Sequence, residues 1–316
     1  MKNEVSIVVP IYNEQENISA LVKAVKSVFF NLPYDYRIIF VDDGSTDSTL
    51  NIIKTMVDYD PTISYISFSR NFGHQAALKA GIDCATGDCV ISMDGDLQHP
   101  PELIPQMLAK WEEGYDVVYT IRKDDKSLSY MKRKSSNAFY KLLRQLSDVD
   151  IERGSADFRL MSRKVAEVVR DLGDHELFLR GVIKWIGFRQ IAMEYEPLPR
   201  ANGKSKYTYK KMLRLALEGI TSFSIKPLYV ATYLGITFSL LSTLYIPYAL
   251  YSYYFGKVIS GWTSVIVTIS FFGGLQLMIL GIIGIYLGKL FMQSKNRPSY
   301  LIKESNVQWP QKELSF

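Results

Sequence analysis

The run Asp94-Gly95-Asp96-Leu97-Gln98-His99-Pro100 carries the densest chemistry in the chain. Carboxylates at i and i+2, just past the apolar run 89–93, can face one cation together. Hard divalent ions, Mg²⁺ or Mn²⁺, take oxygen ligands of this kind, and Gln98 can add a carbonyl oxygen. A cation held there would neutralise a departing diphosphate. An Asp-x-Asp alone would mean little, because turns are full of them. Its place after a strand-like run and its extension to Gln98 and Pro100 give it weight. His74 and His99 are expected in supporting positions, since the motif calls for oxygen ligands.

A second acidic pair lies in Val41-Asp42-Asp43-Gly44-Ser45-Thr46-Asp47. Gly44 permits a tight turn, and Ser45 or Thr46 can cap a following helix. That turn explains residues 44–47 but not two adjacent acids. Asp42 and Asp43 can accept hydrogen bonds from a base N–H or from ribose hydroxyls. A third run, Val8-Val9-Pro10-Ile11-Tyr12-Asn13-Glu14, offers a wall, with Tyr12 for stacking and Glu14 for polar contact.

Short β-branched or aromatic runs at 5–9, 37–41, 63–68, 89–93 and 116–120 predict strands. Amphipathic stretches at 16–30, 46–57, 74–85 and 101–111 predict helices between them, with Pro101 near a helix start. Such alternation predicts an α/β fold with a parallel sheet covered on both faces. Its functional loops should lie at the carboxyl ends of the strands, where all three motifs fall.

The pattern changes after Lys226. Residues 227–256 carry no charge, and after Lys257 neither do residues 258–288. Each stretch exceeds the roughly 20 residues that span a bilayer as a helix. Two transmembrane helices are expected, at about 229–253 and 262–288, within a segment 227–290. Lys204, Lys206, Lys210, Lys211, Arg214 and Lys226 precede them, and Lys289, Lys295, Arg297 and Lys303 follow. The connecting loop has only Lys257, so the positive-inside rule puts both ends in the cytoplasm. The expected layout is a catalytic domain over 1–205, an amphipathic juxtamembrane segment over 206–226, the hairpin, and a polar cytoplasmic tail over 291–316. Gly281, Gly284 and Gly288 would let the second helix approach a neighbour closely, which makes a homo-oligomer an option.

Composition excludes other classes. With 37 basic and 32 acidic residues the net charge is +5, too balanced to argue for nucleic acid. Cys84 and Cys89 are too few for a disulfide framework or a zinc cluster. Residues 1–10 do not form a secretory signal: the start is polar and the apolar run is too short.

Taken with Ser69-Arg70-Asn71-Phe72-Gly73 and the continuation of the acidic run into Pro100-Pro101-Glu102, these motifs resemble the family two glycosyltransferases of GT-A fold. Within them the chain is similar to the dolichol-phosphate mannose synthases and the bactoprenol glucosyltransferases. The resemblance implies a Rossmann-like GT-A domain followed by membrane helices. It implies metal binding by Asp94, Asp96 and Gln98, and a nucleotide-sugar pocket formed by Pro10, Tyr12, Glu14, Asp42 and Asp43. Arg122, Arg133 and Ser136 match the region that takes the acceptor phosphate, a task suited to guanidinium groups. Asp157, in Gly154-Ser155-Ala156-Asp157-Phe158-Arg159-Leu160, lies where relatives with hydroxyl acceptors keep a general base. A phosphate acceptor is already ionised, so Asp157 is expected to orient the acceptor or contact the sugar. Lys204 and Lys206 lie in a run resembling a loop that closes on the diphosphate.

The implied reaction is inverting transfer of a hexose, with UDP-glucose as first choice, to undecaprenyl or another polyprenyl phosphate. The partners are then a nucleotide-sugar, the lipid acceptor and the bilayer. The rivals are a GDP-mannose-dependent synthase, a processive polysaccharide synthase, and a non-enzymatic membrane scaffold. The processive class typically carries Gln-x-x-Arg-Trp and more spans, which this chain lacks. Intact Asp94, Asp96 and Arg122 argue against the scaffold.

Overall fold

The structure is a computed structural model that describes residues 2–123, 154–173, 178–196, 221, 224–255 and 261–307. The chain begins with β1 (Glu4–Ile11), α1 (Ile18–Phe29), β2 (Asp35–Asp42), α2 (Thr49–Tyr59), β3 (Ile63–Phe68), α3 (His74–Cys84) and β4 (Cys89–Ser92). It continues with α4 (Ile104–Glu112), β5 (Val117–Arg122), β6 (Ser155–Ser162), α5 (Arg163–Asp171), α6 (Leu179–Ile186) and β7 (Gln190–Tyr195). Two long helices follow, α7 (Lys226–Tyr254) and α8 (Trp262–Ser294), then a short strand β8 (Ile302–Ser305).

The strands form one eight-stranded sheet in the order β7-β5-β6-β4-β1-β2-β3-β8. Strands β1 to β4 pair in parallel, as their apolar runs predict. They are buried on both faces: Ile7 and Val9 join one core cluster and Val8 the other. The sheet is nevertheless mixed, not parallel throughout. Strand β6 runs antiparallel to both β4 and β5, and β8 runs antiparallel to β3. An antiparallel neighbour of β4 lets a different part of the chain reach the carboxyl end of that strand.

Chain order reverses direction across the sheet between β1 and β4. This opens a crevice beyond the carboxyl ends of those two strands, where open α/β sheets bind ligands. Glycines fix the backbone around it. Gly44 has φ +71°, and a Cβ there would lie 2.6 Å from the carbonyl carbon of Arg70. Only glycine meets both conditions without strain.

Helices α7 and α8 expose Leu240, Leu244, Leu277 and Leu287 to their surroundings. They contain stretches, Lys226–Leu244 and Val265–Ser294, long and apolar enough to cross a membrane. The expected juxtamembrane amphipathic stretch lies almost wholly outside the described residues.

Within the segment expected as a polar tail, residues 300–306 pack against the sheet. After α8, Tyr300 stacks on Phe68 with ring centroids 5.2 Å apart and donates a hydrogen bond to Asp83 at 2.8 Å. The Ser69 N–H donates to the carbonyl of Leu301, and β8 then pairs along β3. Lys54 bonds Glu304 at 2.6 Å, and the Tyr65 N–H donates to the Asn306 side chain at 2.7 Å. A polar strand of four residues has no hydrophobic alternation to betray it. Its pairing comes from the backbone groups of the β3 edge.

Candidate active site

The crevice is a cleft of about 380 Å³. From β1 and the loop after it come Pro10, Tyr12 and Glu14; from the loop after β2 comes Asp43. Asn71, Gly73 and His74 close one side, Asp94 and Asp96 follow β4, and Asp157 and Arg180 complete the wall. Of the residues expected to bind donor or metal, Pro10, Tyr12, Glu14, Asp43, Asp94 and Asp96 thus meet around one cavity, joined by Asp157.

The loops at the β1 and β2 ends hold one another. The Asn13 N–H donates to Ser45 Oγ at 2.9 Å, and the Thr46 N–H donates to Asn13 Oδ1 at 2.8 Å. The Glu14 N–H donates to Thr49 Oγ1 at 3.0 Å. Asn13 adopts φ +55°, a conformation asparagine tolerates better than most residues. Asp42 is buried and spends both oxygens internally, accepting from Ser45 N–H at 3.0 Å and Ser67 Oγ at 2.8 Å. It shapes the turn and does not line the cleft. Asp43 does, while accepting from the N–H groups of Phe72 at 2.6 Å and Gly73 at 2.9 Å. Burial pushes its pKa up against those two hydrogen bonds.

The other end of the cleft is built differently. Gly95 lies so close to Ile11 that a Cβ would sit 2.7 Å from its methyl carbon. Leu97 takes a left-handed φ of +61°, so the acidic loop is sharply bent. His99 packs behind it, stacked on Phe158, and accepts the Asp94 N–H on Nδ1 at 2.9 Å. Asp94 Oδ1 is buried yet accepts no hydrogen bond, and His74 Nε2 stands 3.5 Å from it. Asp96 Oδ1 accepts the Gln98 N–H at 3.1 Å. Gln98 is not among the residues that line the cleft, and its backbone N–H braces Asp96.

These residues fit a divalent cation. Among the described residues no group of three His, Cys, Asp or Glu side chains forms a ready-made metal cage. Mg²⁺-type sites that bridge a substrate diphosphate use only one or two carboxylates and need no cage. The orphaned Asp94 oxygen is the mark of a missing partner, because buried polar atoms are otherwise satisfied.

Asp157 lies on β6, one strand over. Arg180 clamps it with Nε–Oδ1 at 2.9 Å and Nη2–Oδ2 at 2.8 Å. Arg159 Nη2 is 3.4 Å from Oδ1, and His74 Nε2 is 3.3 Å from Oδ2. Burial opposes the Asp157 charge, but Arg180 and His74 outweigh it and hold the carboxyl well below its usual range. His74 follows the reverse logic. Burial works against its protonated form, and Asp157 and Asp94 overcome this and raise its pKa. Burial brings Arg159 down to about 10.

Arg122 ends β5, in register with Tyr195 of β7, and is exposed rather than part of the cleft wall. Burial pushes the Tyr195 hydroxyl up to about 12, with Arg122 pulling the other way. Arg133, Ser136, Lys204 and Lys206 lie outside the described residues. Sequence reasoning missed Arg180 and Asn71 as lining residues. Asn71 sits inside a motif already noticed, whereas nothing local in Phe178-Leu179-Arg180-Gly181 marks the arginine.

Comparison with known proteins agrees with this geometry. Residues 6–170 match the family described as Glycosyl transferase family 2. An uncharacterized glycosyltransferase of Bacillus subtilis (strain 168), YkcC, is 44% identical over 95% of this chain and 93% of its own length. A prophage-derived bactoprenol glucosyl transferase of Shigella flexneri is 42% identical over 96% of this chain and 98% of its own. A prophage bactoprenol glucosyl transferase homolog of Escherichia coli (strain K12) is 40% identical over 95% and 98%. With more than half its length matched and the strand-end acids in one cleft, the chain belongs to glycosyl transferase family 2 and is a glycosyltransferase.

Proposed function

We propose that this glycosyltransferase moves a hexose, glucose from UDP-glucose, onto the phosphate of undecaprenyl phosphate or a similar polyprenyl phosphate. The lipid-linked sugar would serve glycosylation of a cell-surface polymer. The observation that carries the reading is the make-up of the cleft. Carboxylates with an orphaned oxygen stand beside a wall in which Arg180 and His74 both face Asp157. The first end suits a metal-bound diphosphate. The second offers positive charge to an acceptor that arrives ionised. The relatives named bactoprenol glucosyl transferase support both the glucose and the lipid acceptor.

In this mechanism Pro10, Tyr12, Glu14 and Asp43 seat the nucleoside, with Asp42 shaping the turn behind them. Asp94 and Asp96, with Gln98 bracing the loop, would hold Mg²⁺ or Mn²⁺. That ion neutralises the leaving nucleoside diphosphate when bound. Arg122, with Arg133 and Ser136, would take the acceptor phosphate, and Lys204 and Lys206 would reach the donor diphosphate. Catalysis is then positioning and charge stabilisation, with the acceptor oxygen attacking the anomeric carbon opposite the leaving group.

The helices α7 and α8 would anchor a domain over 1–205 at the cytoplasmic face of the membrane, with residues 206–226 lying along the lipid surface. Basic residues flanking both helices support that side. The decisive assay supplies membranes holding the protein with undecaprenyl phosphate and labelled UDP-glucose. A chloroform-soluble labelled lipid is expected, released by mild acid. Labelled product with GDP-mannose alone would replace the donor assignment. No lipid product with any common nucleotide-sugar would end the proposal.

A further inference from the structure

Asp157 lies where relatives with hydroxyl acceptors keep a base, yet here both of its carboxylate oxygens are occupied. Both Asp157 oxygens carry an Arg180 hydrogen bond in fork geometry, at 2.9 and 2.8 Å. Arg159 and His74 add one further contact to each oxygen. The backbone is fixed as well. Ser92 Oγ donates to the Asp157 carbonyl at 2.6 Å, and β6 pairs with β4 at Ser92 and Arg159. The carboxylate therefore stays where it is, beside the acidic loop. Arg159 is buried, and its Nη2 also donates to the Ala156 carbonyl at 2.8 Å, so it belongs to the same strand scaffold. Arg180 comes from a separate helix, α6, and is partly open to the cleft.

A hydroxyl acceptor must lose a proton as its oxygen bonds to the anomeric carbon, and a nearby base with an available lone pair must take it. A phosphate acceptor needs no such base. We propose that Arg180 sets the acceptor class of this site: by occupying both oxygens of Asp157 it withholds a base from hydroxyl acceptors, water included. The cleft then admits only a nucleophile that is already ionised. The inference rests on the proposed transfer to a lipid phosphate and names the residue that restricts it. Arg180 acts through Asp157 and is a positioning residue. The depressed Asp157 pKa agrees with this, since a strongly acidic carboxylate is a poor proton acceptor.

Removing the lock defines a balanced side reaction. In Arg180→Gln, Asp157 is released on one edge. A water oxygen bonds to the anomeric carbon, the bond from that carbon to the diphosphate oxygen breaks, and UDP leaves. The water proton passes to Asp157, giving glucose and UDP.

The test measures UDP release from UDP-glucose and Mn²⁺ without acceptor, alongside transfer to undecaprenyl phosphate, on the full chain in detergent. For Arg180→Gln, acceptor-independent hydrolysis should rise by about 10-fold or more while transfer falls, with the roughly 100- to 10,000-fold of a well-placed general base as the ceiling. Adding Asp157→Asn should abolish the extra hydrolysis, which a merely loosened site would keep. Arg180→Lys, with one donor in place of a fork, should give an intermediate ratio of hydrolysis to transfer. Thermal stabilisation by UDP and Mn²⁺ reports whether each variant is folded and binds nucleotide. Hydrolysis no higher than wild type in a nucleotide-binding Arg180→Gln overturns the inference, as does hydrolysis that survives in the double variant. If Arg180→Gln does not fold, a wild-type ratio in Arg180→Lys overturns it. Failure of the wild type to use any donor strikes the underlying transfer reading instead.

Discussion

Two acidic pairs stand at the carboxyl ends of parallel strands beside the same cleft, which Asp43, Asp94 and Asp96 line, and they are used in opposite ways. Asp42 and Asp43 are satisfied by the protein: a serine hydroxyl and three backbone N–H groups take their oxygens. Asp94 and Asp96 are braced through backbone and loop, yet one Asp94 oxygen is buried with no hydrogen bond. The first pair is spent on holding loops together, so its loss should be felt in the fold and in nucleotide affinity. In the second, Asp94 keeps one oxygen without a hydrogen bond beside the acidic loop, so the loss of this pair should be felt in the chemistry. Residue type and placement after a strand do not distinguish these uses; the count of donors around each oxygen does.

Substitution should separate the pairs most clearly at the acidic loop. Asp96→Ala or Asp94→Asn should lower transfer roughly 100- to 1000-fold, the scale on which a charge-stabilising contact in a closed site acts. The melting temperature without ligand should change little. Near-normal turnover in both variants would erase the contrast. At the structural end, Asp43→Ala strands the Phe72 and Gly73 N–H groups and should cost about 1–3 kcal/mol of stability with a raised KM for the donor. Gly44→Ala should cost about 1–2 kcal/mol from handedness alone, before the contact with Arg70 is counted. Denaturant melts of these variants, set beside donor KM values, test both.

Acid sharpens the comparison further. The folded-state pKa of Asp157 is depressed, so its stabilising contribution is complete above the ordinary carboxylate pKa, about 4. It is lost as pH falls below that toward the depressed value. Asp43 has a raised pKa, and its charged form costs stability that is recovered as pH falls through the raised value. The stability gap between wild type and Asp157→Asn should therefore shrink below about pH 4. The gap to Asp43→Asn should move the other way over mildly acid pH. Parallel melts across pH 3–7 would show whether the two curves diverge. The smallest effect is expected far from the cleft. Tyr300→Phe keeps the ring on Phe68 and loses only the Asp83 hydrogen bond, at about 1 kcal/mol and with unchanged turnover.

Much of this was legible in the sequence. Strands β1 to β4 announce themselves because burial on both faces demands continuous β-branched runs. Their carboxyl ends carry the motifs, so six of the expected donor and metal residues fall into one cavity. What stayed hidden depends on contacts remote in sequence. Strand β6 alternates Ala156, Phe158 and Leu160 with Asp157 and Arg159, a pattern that suggests one wet face, yet both faces are buried. Arg180 matters because α6 brings it 23 positions back onto Asp157. Gln98 was expected to offer its side chain to a metal, but the bent loop presents its N–H to Asp96. His74 was expected in a supporting place, and its position between Asp94 and Asp157 gives that support a definite form.

The strand β8 has a further consequence, one of parity. The chain leaves the sheet domain, runs through two long apolar helices, and then rejoins the same sheet along β3. A path that departs from a body and returns to it must cross any intervening layer an even number of times. If α7 and α8 enter a bilayer, the hydrogen bonds of β8 require that Tyr300–Asn306 emerge on the side where the domain stands. Charge bias argues for the same outcome statistically; a strand pairing enforces it by connectivity. A protease or labelling reagent confined to the opposite side should therefore find neither the domain nor residue 303.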